Sequence, residues 1–328
     1  LPLFAAISAA SMPTLANFDF QMLSATAWAY AELDVDDYPL LDVMAAEARG
    51  RLQAARLSGA ADVSPLAVLA TTHALAEAQR LDSSFLDEAA AVLRQIGTGL
   101  DIASRVPKTE DAVGDAVAST SPSLASLADG SDGRPFILFD SLDVCVIWKP
   151  PGWITIPADR NAEEEGGDLG ESFDPDSASG PTLTSFAAEH LGKDHPVALD
   201  AQVQNGLVHR LDRDTSGAVC CAKSYVGYYL AVLQFTARRV RKEYICLCRG
   251  LVPPAPCTID MPLRTVKRLG QYRSVAAPNG RRARTELLSS THLRSPDDGS
   301  CVSLVRVRLH TGRMHQIRAH MASHGHPL

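Results

Sequence analysis

Through residues 15–97 the apolar positions recur at helical intervals, in Ala- and Leu-rich runs without strand character. The runs also repeat. ATAWAYAE at 25–32 matches ATTHALAE at 70–77, an offset of 45 residues. The same offset pairs Leu41-Asp42 with Leu86-Asp87, Ala45-Ala46 with Ala90-Ala91, and Arg49 with Arg94. Each unit reads as a helical hairpin, with breaks near Asp36–Pro39 and Asp82–Ser84. Pro39 suits a first helical turn, where its missing N–H costs nothing. A period in the forties with two helices per unit is an α-solenoid pattern, so residues 1–103 are expected to form an all-α helical-repeat region.

Residues 104–135 are rich in Ser, Asp, Gly and Pro and are expected to be a flexible linker. Beyond them the pattern changes. FILFDSLDVCVIWKPPG (136–152) reads as two short apolar runs around a turn, and residues 161–180 form an acidic, Gly-rich surface insertion. TLTSFAAEHLG (182–192) reads as a helix stopped by Gly192, with Thr182 or Thr184 as its N-cap. AVCCAKS and EYICLCRG read as strands joined by a helix over YVGYYLAVLQFTARRV. CVSLVRVRLH alternates with period 2, placing Val305, Val307 and Leu309 opposite Arg306 and Arg308. HQIRAHMASHG reads as a last helix burying Ile317, Met321 and His324. Strands joined by hairpins and helices, without regular βα alternation, predict an α+β domain over 136–328 built on a mixed, largely antiparallel sheet.

Charge sharpens this division. Residues 1–130 carry 7 Lys/Arg against 17 Asp/Glu (−10), whereas residues 241–328 carry 15 against 5 (+10). A basic C-terminal third on an acidic chain fits a polyanion partner. The seven cysteines all follow residue 144, in an odd number without framework spacing, and read as free thiols of a reducing compartment. Cys246 and Cys248 share one face of a strand and read as packing. No apolar run approaches a membrane span of about 18 residues. The chain starts at Leu1 and stops at HPL, so both ends read as fragment boundaries.

Candidate chemistry centres on GLVHRLDRDTSG (206–217). Asp212 between Arg210 and Arg213 is compatible with a plain polar turn. Asp212-x-Asp214 also has the outline of an aspartyl phosphotransferase, but His209 and Arg210 interrupt the apolar strand which that pattern needs, and no late acidic pair completes a magnesium site. His310, His315, His320, His324 and His326 lack a third ligand at a known spacing, so no metal is expected.

HRLDRDTSG resembles the signature of the RluA-type RNA pseudouridine synthases. KPPGWITIP (149–157), RKEYICLCRG (241–250) and HTGRMHQIRAHMASHGHPL (310–328) are similar to further family motifs, in the family's order and at comparable spacings. The resemblance implies isomerisation of uridine to pseudouridine in RNA, without cofactor or metal. It implies Asp212 as the carboxylate at the sugar–base junction, Arg318 as its guanidinium partner and Tyr244 as the active-site tyrosine. Arg210 would stand in for the flipped base, with His209, Lys149, Arg313 and His315 as substrate or phosphate contacts. The helical units resemble octotricopeptide and RAP-type repeats, many of which bind RNA in organelles. This implies a mitochondrial or plastid setting as an alternative to cytoplasm or nucleus, and the acidic repeats are also candidates for docking a protein. The chain departs from the family in its acidic insertion, in the helical units standing where an S4-type domain is common, and in ending before the family's usual Gly-Asp-containing continuation. The competing reading is a non-catalytic helical-repeat RNA-binding or scaffold protein with a degenerate synthase domain.

Overall fold

The computed structural model describes residues 2–33, 35, 37–60, 63–104, 133–156, 180–268, 271–294 and 299–328. Most of the expected linker and nearly all of the acidic insertion lie outside them. The chain forms two compact units, one reaching up to Pro157 and taking in Ser179–Ala237, the other holding Arg238–Leu328.

The first unit opens with α1 (Pro2–Ser11), a 3-10 turn (Met12–Asn17), α2 (Phe20–Glu32), α3 (Tyr38–Ser58), α4 (Pro65–Glu77) and α5 (Ser83–Ala103). Helices α2 and α4, and likewise α3 and α5, begin and end 45 residues apart. The caps keep the same offset. Asp37 accepts from Leu40 N and Asp82 from Phe85 N, while Asp19 and Ser64 occupy the equivalent N-cap positions of α2 and α4. A capping carboxylate satisfies backbone donors that the helix itself cannot. Leu23, Leu40, Met44, Leu52, Leu75, Phe85 and Leu93 fill the core between these helices.

That core does not end with these helices. The rest of the unit comprises β1 (Phe136–Asp140), β2 (Val144–Lys149), α6 (Leu183–Leu191), 3-10 turns over Pro196–Leu199 and Ala201–Gly206, β3 (Gly217–Ala222) and α7 (Tyr225–Thr236). Tyr225, Tyr229 and Leu233 of α7 belong to the same buried cluster as the helical hairpins. Asp101 in the last turn of α5 accepts from the backbone N–H of Tyr225 (2.7 Å) and Val226 (3.2 Å). Gly97, one turn earlier, lies so close to α7 that an added Cβ would sit 2.7 Å from Val226 N. The helical pair is therefore built into this unit through α5 and α7. The three strands form an antiparallel sheet in the order β1-β2-β3. Of the two cap candidates for α6, Thr182 takes the position, accepting from Ser185 N.

The second unit holds β4 (Lys242–Arg249), β5 (Cys257–Asp260), β6 (Leu263–Arg268), β7 (Gln271–Ala276), β8 (Arg284–Arg294), β9 (Cys301–Leu309) and α8 (Gln316–Ser323). A four-stranded antiparallel sheet runs β4-β9-β8-β5, and β6 pairs with β7 as a two-stranded ribbon. The period-2 reading of β9 holds for Val305 and Val307, which are buried, while Leu309 is half-buried. Cys246 and Cys248 are buried together on the inner face of β4, against Ile259, Leu287 and Met321. Helix α8 differs from expectation in its buried stripe. Gln316, His320 and Met321 are buried, Ile317 packs against the core in part, and His324 is exposed as the C-cap. The helix stops before His324 can turn inward, and a polar network takes the inner face instead. Among the described residues, no helix is long and apolar enough to cross a membrane.

Candidate active site

Strand β2 alternates strictly, with Cys145, Ile147 and Lys149 on its buried face. Lys149 is thus carried inward at the strand's end and is 0% exposed. Its Nζ donates to the carbonyls of Pro150 (3.1 Å), Arg213 (2.8 Å) and Thr215 (2.8 Å). Burial pushes its pKa down to about 8, and the Asp212 and Asp214 carboxylates pull it back up. The expectation that Lys149 meets phosphate or substrate is corrected here. With every ammonium hydrogen on a carbonyl and no exposed surface, it holds the Asp212 loop from beneath.

The chain after Lys149 completes a cradle. Gly152, at φ +83°, brings its N–H to the Arg213 carbonyl at 2.9 Å. The positive φ is one that glycine adopts without strain. Thr155, 2% exposed, donates its hydroxyl to the Leu211 carbonyl (2.8 Å) and accepts from the Leu211 N–H (3.1 Å). Asp212 itself opens a turn closed by Thr215 N on its carbonyl at 3.0 Å. The residues on both sides of Asp212 are therefore tied down through backbone groups, which fixes where its side chain starts.

His209 serves the same loop. Its Nε2 accepts from Cys220 N at 3.0 Å, and its ring stacks on Phe235 of α7 with centroids 4.6 Å apart. Because Val208 N also donates to Cys220 O at 3.2 Å, the imidazole extends the ladder of β3 by one bond. An accepting Nε2 is unprotonated, so the proton of the neutral ring sits on Nδ1. Arg210 is half-buried beside it.

The remaining expected residues lie in the second unit. Tyr244 sits on the inner face of β4, half-buried against the Cys246–Met321 core. Arg318 is exposed on α8. The start of α8 is set by a buried polar network. Gln316 Oε1 accepts from the Thr311 hydroxyl (2.7 Å) and Arg313 N (3.0 Å), while its Nε2 donates to the Arg284 carbonyl (3.0 Å) and Thr285 Oγ1 (2.9 Å). His320 follows one turn on, with Nε2 against the Met261 carbonyl and Nδ1 against the Thr285 hydroxyl, each at 2.9 Å. Arg313 turns its Nε to the Arg282 carbonyl (3.2 Å), and His315 occupies the N-cap at φ +50°. Sequence reasoning missed Thr155, Gly152, Gln316 and Thr285 as positioning residues. The first two stand in KPPGWITIP, where a glycine after two prolines and a hydroxyl between two isoleucines are the available signal.

Lys149, His209, Arg210 and Asp212 are thus gathered around one loop, and Tyr244, Arg313, His315 and Arg318 belong to the other unit. Among the described residues, no group of three or more His, Cys, Asp or Glu side chains is arranged to hold a metal ion.

Comparison with known proteins agrees with the motifs. The chain is 41% identical over 132 residues to an uncharacterized RNA pseudouridine synthase of Chloroflexus aurantiacus, covering 40% of this chain and 39% of that one. It is 31% identical over 192 residues to another from Aquifex aeolicus, covering 58% and 53%. RNA pseudouridine synthase 2, chloroplastic, of Oryza sativa subsp. japonica is 36% identical over 130 residues, covering 39% and 29%. The chain spans about half the length, or less, of these curated relatives. The model of the RNA pseudouridylate synthase family matches residues 143–323, more than half of the chain and all of the motifs around Asp212, Tyr244 and Arg318, and the chain belongs to that family.

Proposed function

We propose that the chain isomerises specific uridines in RNA (rRNA, tRNA or mRNA) to pseudouridine. The reaction breaks the N1–C1′ bond, turns the uracil and rejoins it through C5, so no atom enters or leaves and no cofactor is called for. Asp212 acts as nucleophile or base at the ribose anomeric carbon. Arg318 supplies the counter-charge that keeps a carboxylate ionised under a bound nucleotide. Tyr244 stacks on the uracil and assists proton removal from C5. Arg210 fills the place of the extruded base, offsetting part of the few kcal/mol that flipping costs. Arg313 and His315 contact phosphate or substrate.

The observation that carries this reading is the clamp on Leu211, Arg213 and Thr215, which fixes the residues flanking Asp212 through their backbone. An acid in a plain surface turn has no use for a buried lysine and a buried hydroxyl beneath it. The chloroplastic relative supports a plastid address within the organellar reading, and the acidic helical hairpins read as a docking face for a protein. The test is Asp212→Asn. Isomerisation should vanish while RNA affinity falls less than about tenfold, since the amide keeps the shape and loses one charge. Unchanged turnover would remove Asp212 from the chemistry.

A further inference from the structure

Helix α7 touches the segment that leads into Asp212 at two points. At its first residue the buried Tyr225 donates its hydroxyl to Asp200 Oδ2 at 2.8 Å. In its last turn Phe235 stacks on His209, with centroids 4.6 Å apart. The two partners, Asp200 and His209, bracket the 3-10 turn over Ala201–Gly206. One rigid helix therefore spans both ends of the approach to the Asp212 loop.

That approach is strained. Gln204 and Asn205 both lie at φ +54°, and Gly206 follows at φ +79°. Left-handed residues other than glycine occur singly as a rule, and a run of them persists only where the surroundings impose it. Asp200 imposes it here. Its Oδ1 accepts from Gln202 N and its carbonyl from Asn205 N, each at 2.9 Å, which leaves Oδ2 for Tyr225. Asn205 Nδ2 adds a bond to the Ala198 carbonyl at 2.9 Å. Gly206 then passes so close to β3 that an added Cβ would sit 2.7 Å from the Ala222 carbonyl oxygen. With no slack against β3, a shift at Asp200 passes on along Leu207–Leu211 to Asp212.

The start of α7 is itself immobilised. Asp101 of α5 takes the N–H groups of Tyr225 and Val226. Ser224 accepts from Gly227 N at 2.9 Å and donates to Asp143 Oδ1, next to β2, at 2.8 Å. Burial, and after it the Asp200 carboxylate, pushes the Tyr225 phenol up to about 12, so at neutral pH it stays a donor. Resting on the reading of Asp212 as the reacting carboxylate, we propose that Tyr225 is a positioning residue. Through Asp200 it sets the strained turn that feeds the Asp212 loop, and α5 braces it through Asp101.

The test compares the whole chain with Tyr225→Phe. The substrate is RNA from cells lacking the protein, tritiated at uracil C5, from which isomerisation releases the label as C5 gives up its hydrogen. The variant should lose at least about fivefold in kcat, with its apparent KM within about twofold of wild type. Amide hydrogen exchange over Leu207–Thr215 should quicken at least about fivefold, while α2, α3 and α4 keep their protection. An Asp200→Asn/Tyr225→Phe double variant should be no slower than Asp200→Asn alone, because the two residues act as one unit. Tyr228→Phe removes a phenol from the same helix, leaves the bond to Asp200 in place, and should turn over at the wild-type rate. Wild-type kcat and loop exchange in Tyr225→Phe would overturn the proposal. So would an equal rise of exchange in α2, α3 and α4, which would reduce the tyrosine to general stability. A wild-type chain that releases no tritium would instead count against the reading of Asp212, and loop exchange would still decide whether Tyr225 holds the turn.

Discussion

One hydroxyl serves both backbone groups of its partner: Thr155 donates to the carbonyl of Leu211 and accepts from its N–H. The pair lies 56 residues apart in sequence and is buried. Thr155→Val keeps the shape and leaves a buried N–H and C=O of Leu211 without this partner. An unsatisfied buried group costs about 1–3 kcal/mol, so a loss of roughly 2–4 kcal/mol is expected. With Asp212 adjoining Leu211, kcat should fall more than KM rises. Urea unfolding and steady-state turnover measure the two effects, and Thr155→Ser should recover most of both. A valine variant as active and stable as wild type would show that the clamp at Leu211 is incidental.

Lys149 gives a pH signature. Its folded pKa of about 8 lies below the ordinary 10.5, so the folded chain gives up this proton first. Between those values the unfolded chain binds more protons, and the contribution of this group to stability rises with pH. Turnover should move the other way, because a neutral amine has two N–H groups for three carbonyls. The expected result is a basic limb in kcat near pH 8 without a matching loss of stability from this group. Turnover that stays flat to about pH 10 would rule this out. Lys149→Met should cost on the order of 3 kcal/mol, having left three carbonyls unserved.

The helical hairpins should contribute stability to the first unit through α5 and α7. Asp101→Ala removes two charge-assisted caps from the N-terminus of α7 and should cost about 1–2 kcal/mol. Gly97→Ala places a methyl group against the Val226 backbone and should cost about 1–3 kcal/mol. Chemical denaturation should show a lower midpoint in both. A separate early transition confined to the helices, leaving the main transition unmoved, would mean that the hairpins fold independently of the sheet.

What was legible in the sequence had a local period or a local rule. The 45-residue offset and the alternation of β9 both belong to neighbours along the chain. So did the inward phase of Lys149, since Cys145, Ile147 and Lys149 lie two apart, yet a lysine invites a surface reading. The bonds from Thr155 to Leu211, and from Asp101 to Tyr225 across 124 positions, leave no periodic trace. His324 falls outside the buried stripe because the helix ends at Ser323, and helical spacing has no meaning past a C-cap.

His320 supplies a prediction of the same origin as that of Lys149, in the second unit. Burial lowers its pKa, opposed by the hydrogen bond to the Met261 carbonyl; His324 lowers it further and Asp260 raises it. With Nε2 donating to Met261, the Nδ1 that faces the Thr285 hydroxyl is the atom that must remain bare. A base whose folded pKa is depressed contributes fully above its ordinary value of 6.5 and loses that contribution as pH falls below it. Denaturation midpoints should therefore drop between about pH 7 and pH 5. His320→Gln should be less stable at neutral pH but less sensitive to acid across the same interval. Because Thr285 also anchors Gln316 at the start of α8, acid should loosen the helix that carries Arg318, and turnover should decline in the same window. If the glutamine variant showed the same acid slope as wild type, the sensitive proton would belong elsewhere.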